Sequence, residues 1–133
     1  MPITAPVHTD AEIETAIIAL GREPGGGLVV MPDGFTGAHR APIISAAAGN
    51  NVPSVYYLPT FARDGGLLSY GVAEVDIWRR AATYVDGILR GTGPAELPVQ
   101  MATKFEMAVN LKSAKALNLA VPQSILRADE VIE

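Results

Sequence analysis

A chain of 133 residues has the size of one domain, large enough to bury a single core and too small for two. With 49% hydrophobic and 18% charged residues it is globular rather than disordered, and a net charge of −4 without a run of Lys or Arg excludes a nucleic-acid surface. The absence of cysteine excludes disulfides and thiolate metal sites.

Met1 to Asp10 carries Pro2, Pro6 and His8 and lacks a charged segment followed by an apolar run, so no signal peptide is expected. Nothing in the chain approaches the ~20 apolar residues of a membrane span, so direct membrane insertion is not expected. Ile3 to His8 reads as a short strand. Thr9 or Asp10 then offers a side-chain oxygen as a helix cap, and Glu12 lies at capping-box spacing from Thr9. Ile13, Ala16, Ile17 and Leu20 follow at helical spacing until Gly21, Pro24 and the Gly25-Gly26-Gly27 run.

Leu28-Val29-Val30-Met31 is a continuous apolar run, expected to be a strand buried on both faces and broken by Pro32-Asp33-Gly34. A helix is expected over Ala38 to Asn50 with Ile43, Ile44 and Ala47 inward. Strands are expected at Pro53 to Leu58 and Leu67 to Tyr70, separated by a loop or single helical turn over Pro59 to Asp64. Glu74 to Arg90 reads as the longest helix, with Val75, Trp78, Ala82, Val85 and Leu89 in one apolar stripe. From Lys104 to Asn110, Phe105, Met107 and Val109 alternate with Lys104, Glu106 and Ala108, the period of a half-buried strand. At Leu111 the period changes: Leu111, Ala114, Leu117 and Val121 repeat at three to four, with Lys112 and Lys115 outward, up to the stop at Pro122. Strands alternating with helices over short connections predict an α/β fold with a three-layer, mainly parallel sheet and right-handed crossovers.

In such sheets ligands gather at the carboxyl ends of the strands. Three loops are therefore candidates: one with Asp33, Phe35 and Thr36, one with Pro59, Thr60 and Phe61, and one with Ser69, Tyr70 and Gly71. A carboxylate at Asp33 beside Gly34 suits a ligand ammonium, and equally suits a cap on the helix that follows. Phe35, Phe61 and Tyr70 suit either a pocket wall or the core. The Gly25 to Gly27 run precedes a strand instead of following one, the reverse of a phosphate loop. His8 and His39 have no partner pattern and no G-x-S-x-G elbow occurs, so neither catalysis, metal nor cofactor is expected. Glu74, Asp76 and Asp86 read as a solvated helix face.

The segment from Thr103 to Glu133, TKFEMAVNLKSAKALNLAVPQSILRADEVIE, has a more specific wording than these periods require. Together with Gly65-Gly66-Leu67-Leu68-Ser69-Tyr70-Gly71, Arg79-Arg80-Ala81-Ala82, Tyr84-Val85-Asp86, Ile88-Leu89, Gly91, Pro94 and Leu97-Pro98-Val99, it resembles the ABC-transporter substrate-binding proteins of the tryptophan/tyrosine-binding type. The resemblance covers most of Gly25 to Glu133 and implies one lobe of a type I periplasmic binding protein, the C-terminal one, with the N-terminal lobe absent. It implies capture of a small solute, an amino acid or an aromatic or carboxylate compound, for delivery to an ABC permease. Asp33 matches a ligand contact by position, and Gly71 falls where the family's chain crosses between lobes, a hinge position. The implied location is the periplasm, whereas the chain taken as complete would stay in the cytoplasm. In the family the Glu74 to Arg90 helix packs on the other lobe. Without that lobe its stripe requires cover, which predicts a homodimer through this helix. The rival expectation is a non-catalytic structural or regulatory oligomer derived from such a lobe.

Overall fold

The computed structural model describes residues 2–133. Thr9 caps the first helix, α1 (Asp10–Gly21), by accepting the Glu12 amide at 3.2 Å, while the Glu12 carboxylate takes the amide of His8 instead of that of Thr9. The capping box is thus shifted by one residue. Ile13 and Ile17 are buried as their spacing requires. Ile3 to His8 is not a strand: the segment runs as coil with Ile3 exposed.

Five strands follow in chain order: β1 (Leu28–Val29), β2 (Ser54–Tyr56), β3 (Leu68–Val72), β4 (Phe105–Asn110) and β5 (Glu130–Ile132). They lie side by side in that same order. β1 with β2, β2 with β3, and β4 with β5 pair in parallel, and β3 with β4 pairs antiparallel. The sheet is therefore mostly parallel. Between the strands come α2 (Gly34–Ala38), α3 (Arg40–Gly49), α4 (Pro59–Arg63), α5 (Glu74–Leu89) and α6 (Leu111–Ala116). The helix expected over Ala38 to Asn50 is divided by His39, which ends α2 and opens α3.

Register assigns the faces, because residues paired across strands point the same way. Tyr56, Ser69 and Ala108 share one face. Ile43, Ile44 and Ala47 of α3 and Phe61 of α4 cluster with Tyr56 there, joined by Ile13 and Ile17 of α1. The other face carries Tyr70, Phe105 and Val131, all exposed, so the third layer expected from sequence is incomplete there. Val29 and Met31 are exposed as well, and only Val30 of their run is buried. β1 is an edge strand rather than one enclosed on both sides. A continuous apolar run cannot by itself distinguish these cases, since both faces read alike in sequence.

β4 also departs from simple alternation. Its burial rises along its length, from the exposed Phe105 to the buried Ala108, Val109 and Asn110, because the strand enters the sheet centre from a free end. Asn110 caps α6 through its side-chain oxygen, 3.1 Å from the Ser113 amide, and its side-chain nitrogen donates to the Ala62 carbonyl at 2.9 Å. Strand thus passes into helix without a loop, as the change of period predicts.

α5 behaves differently from every other long helix, for none of its residues is buried. Arg80 donates to the Met101 carbonyl and to the Thr103 hydroxyl, and Tyr84 donates to the Pro98 carbonyl at 2.5 Å. The returning segment therefore lies along one side of α5. The stripe of Val75, Trp78, Val85 and Leu89 is left uncovered, with Trp78 at 72% and Leu89 at 82% exposure.

Candidate functional site

The carboxyl ends of β1, β2 and β3 open on one edge of the sheet, and the antiparallel β4 brings its first residues to that edge as well. In the first loop Asp33 is the N-cap of α2, its Oδ1 accepting the Phe35 amide at 2.7 Å. Short polar side chains favour this position because they satisfy an amide that has no partner inside the helix. The Asp33 carboxylate is nevertheless exposed. The Thr36 hydroxyl lies 3.0 Å from both the Met31 and the Asp33 carbonyl oxygens. Phe35 is half-buried and stacks on His39 with ring centroids 3.9 Å apart. Asp33, Phe35 and Thr36 thus share one turn.

The second loop folds back on the core. Pro59 starts α4 and the short helix turns Phe61 inward, where it is 1% exposed and stacked on Tyr56 at 4.7 Å. Phe61 is therefore a core side chain, the second of the two readings its sequence allowed, and not a ligand contact on a pocket wall. A Pro at the first helical position was the available signal, since its fixed φ prepares a helical turn.

The third expected loop is strand instead: Ser69, Tyr70 and Gly71 lie within β3, and the two-residue period of a strand divides them. Ser69 points to the helical face and is fully buried, and its Oγ is without a hydrogen-bond partner among the described residues. Such a group costs about 1–3 kcal/mol of desolvation. Tyr70 points to the opposite face, 52% exposed, and stacks on Phe105 at 5.6 Å. Ser69 and Tyr70 consequently cannot meet in one pocket. Gly71 has no positive φ, so conformation alone does not call for glycine. Space does: a Cβ there would lie 1.9 Å from the Tyr57 carbonyl oxygen.

Beyond these residues the same edge holds a polar groove of about 220 Å³, walled in part by Pro59, Arg63, Glu106, Asp129 and Glu130. Arg63 grips Glu130 with two nitrogens, Nε to Oε1 at 2.9 Å and Nη2 to Oε2 at 2.7 Å. These hydrogen bonds hold the Glu130 carboxyl below its ordinary range and raise the Arg63 guanidinium above its own. Asp129 accepts the Met107 amide at 2.9 Å. Sequence reasoning missed this groove because its residues come from α4, β4 and the terminal strand, and no local spacing joins them. Tyr57 was missed too. It follows the buried Tyr56 at the end of β2, bonds the Asp33 turn and lies against Gly71 of β3. Among the described residues there is no group of three His, Asp or Glu side chains that could hold a metal ion.

The edge therefore offers an exposed carboxylate, a half-buried aromatic ring, a threonine hydroxyl and an acidic groove bridged by one arginine. These are binding groups, suited to a small polar molecule with an apolar part.

No curated protein matches the chain. Among solved structures, a conserved domain protein from Vibrio cholerae O1 biovar El Tor strain N16961 superposes with a TM-score of 0.81 at 24% identity, over 92% of this chain and 42% of that one. An ABC domain from Streptococcus pneumonia, solved in complex with L-Trp, also gives 0.81, at 22% identity over 95% of this chain and 43% of that one. The ligand-free, open form of a substrate binding protein with adhesive properties from Clostridium difficile gives 0.66 at 18% identity, over 96% of this chain and 42% of that one. At these identities the likeness is one of fold, and the chain spans less than half the length of each of these three solved proteins. The family model described as ABC transporter substrate binding protein matches residues 3–132, nearly the whole chain, and the protein belongs to that family.

Proposed function

We propose that this chain forms the C-terminal-lobe part of a solute-binding component of an ABC-type uptake transporter, working outside the cytoplasmic membrane and delivering its solute to an ABC permease. Family membership across residues 3–132 carries this reading, supported by the similar fold of a protein solved with L-Trp. The solute class is a small molecule such as an amino acid or an aromatic or carboxylate compound. It binds at the strand-end edge: Asp33 offers its exposed carboxylate to an ammonium group, Thr36 a hydroxyl, Phe35 an aromatic surface, and Tyr70 a further ring where the solute reaches over the sheet edge. Gly71 serves as the hinge where the chain leaves the sheet for α5. The chemistry is binding and not catalysis.

A single lobe encloses a ligand on one side only, so affinity is weak unless a second lobe or partner closes over it. Isothermal calorimetry of the chain with a panel of amino acids and aromatic acids tests this. Millimolar or weaker binding to one member of the panel, abolished by Asp33→Ala, is expected. Submicromolar binding to a monomer would overturn the half-cleft reading, and binding unaffected at Asp33 would overturn the site.

The bare stripe on α5 favours a second reading, a non-catalytic oligomer with structural or regulatory work, in which two chains cover each other's Val75, Trp78, Val85 and Leu89 as a homodimer. Sedimentation of the calorimetry sample separates the two readings. A stable dimer that binds nothing supports the oligomer, and a monomer at micromolar concentration removes it.

A further inference from the structure

We propose that Tyr57 is the positioning residue of the strand-end edge: its hydroxyl holds the Asp33 turn at the position a solute meets, and Gly37 is the opening that admits it. Tyr57 follows β2 directly and is half-buried, its ring 5.3 Å from that of Phe61. The ring is thus anchored to the core. From this anchor its hydroxyl donates to the Asp33 carbonyl at 3.2 Å, across 24 residues of sequence. The same carbonyl accepts the Gly37 amide at 3.0 Å and stands 3.0 Å from the Thr36 hydroxyl. Three donors converge on the one peptide that carries Asp33, and only Tyr57 comes from outside the turn.

Gly37 marks the space this hydroxyl requires, while Gly71 lies against the Tyr57 main chain. A Cβ at Gly37 would sit 2.9 Å from the Tyr57 hydroxyl, and one at Gly71 would sit 1.9 Å from the Tyr57 carbonyl oxygen. Neither glycine has a positive φ, so neither is demanded by backbone conformation. At Gly34 and Gly49, by contrast, a Cβ would meet nothing within 4 Å. The two crowded positions lie in α2 and in β3, the first against the Tyr57 hydroxyl and the second against its main chain. Its hydroxyl therefore ties the turn after β1 to the core, while its carbonyl leaves no room for a side chain at Gly71 of β3.

The proposal rests on the strand-end edge being the solute site, and its test keeps the two apart. In Tyr57→Phe the ring stays and the hydroxyl goes. Hydrogen exchange at the Phe35 and Gly37 amides is expected to rise about fivefold, the effect of losing one net hydrogen bond in a local opening, while the Val55 and Ala108 amides of the sheet are unchanged. Gly37→Ala supplies the second arm. It lowers the melting temperature of the native chain by crowding the hydroxyl, and raises it in the Tyr57→Phe background, where the clash is gone and alanine favours the helix. This reversal of sign is not expected of a ring that only fills space. Unchanged exchange at Phe35 and Gly37, or an equal effect of Gly37→Ala with and without the hydroxyl, would overturn the proposal. With L-tryptophan as the calorimetric probe, Tyr57→Phe is expected to weaken binding severalfold. A native chain that binds no amino acid defeats the transport reading while the exchange and melting arms still decide the role of Tyr57.

Discussion

The stretch from β1 to β3 and the stretch from α5 to the start of β4 both carry apolar residues at regular spacing, yet they end in opposite environments. In the first, Ile43, Ile44, Tyr56 and Phe61 meet in one core. In the second, Val75, Trp78, Val85 and Leu89 stay exposed. Periodicity therefore reports that a face is meant to be covered, and not by what. The contrast is measurable. Phe61→Ala removes a fully buried ring from a stack and is expected to cost about 3–5 kcal/mol in urea unfolding, whereas Trp78→Ala in the monomer stays within about 0.5 kcal/mol. Should Trp78→Ala cost as much as Phe61→Ala, the stripe is covered in solution, and the comparison between the two regions breaks.

The same contrast explains how much was legible in sequence. Helix periods at Ile13 and Ile17, the inward set of Ile43, Ile44 and Ala47, and the passage from strand to helix at Asn110 follow from local spacing, and all are present in the structure. The mostly parallel sheet follows from the alternation of elements. What failed was everything that depends on a neighbour in space. Ile3 to His8 has strand-like residues but pairs with no strand of the sheet, and Val29 of β1 is exposed because it points to the face that also leaves Tyr70, Phe105 and Val131 uncovered. At the candidate site, Asp33 and Thr36 were legible because strand-end turns select short polar side chains. The burial of Phe61 and Ser69 was not, since it is decided by α4 folding over the sheet. The Arg63–Glu130 grip lies 67 residues apart in sequence and leaves no pattern to read.

Gly71 sharpens the comparison at the point where one region gives way to the other. It is the position where β3 lies against the Tyr57 backbone, just before the chain enters α5. Gly71→Ala places a methyl group 1.9 Å from the Tyr57 carbonyl oxygen, and the obstacle is backbone, which cannot swing aside as a side chain would. Strand separation must grow, at a cost of about 1–3 kcal/mol. Chemical denaturation gives the number. Gly34→Ala, with open space around it, is the matched control and is expected to be close to neutral. A small effect at Gly71 together with altered solute binding would instead mark a hinge whose work is motion and not packing.

The smallest effect concerns how the terminal strand is fastened to the core region. Arg63 on α4 grips Glu130 on β5, and its hydrogen bonds hold the Glu130 carboxyl below the ordinary value of 4.5. A carboxyl whose value is depressed on folding stabilises the fold above its unfolded value and loses that contribution as pH falls through the folded one. The contribution of this clasp is therefore complete at neutral pH, begins to fade below about 4.5 and is gone once the folded carboxyl is protonated. Arg63 is exposed and Glu130 partly so, and solvent screening keeps the effect small and salt-dependent. Urea unfolding from about pH 6 to pH 3 is expected to show a shallower acid decline in Glu130→Gln than in the native chain, with the two curves converging at the acid end. Parallel curves across the whole range would mean that the clasp contributes nothing and that β5 is held by its backbone ladder to β4 alone.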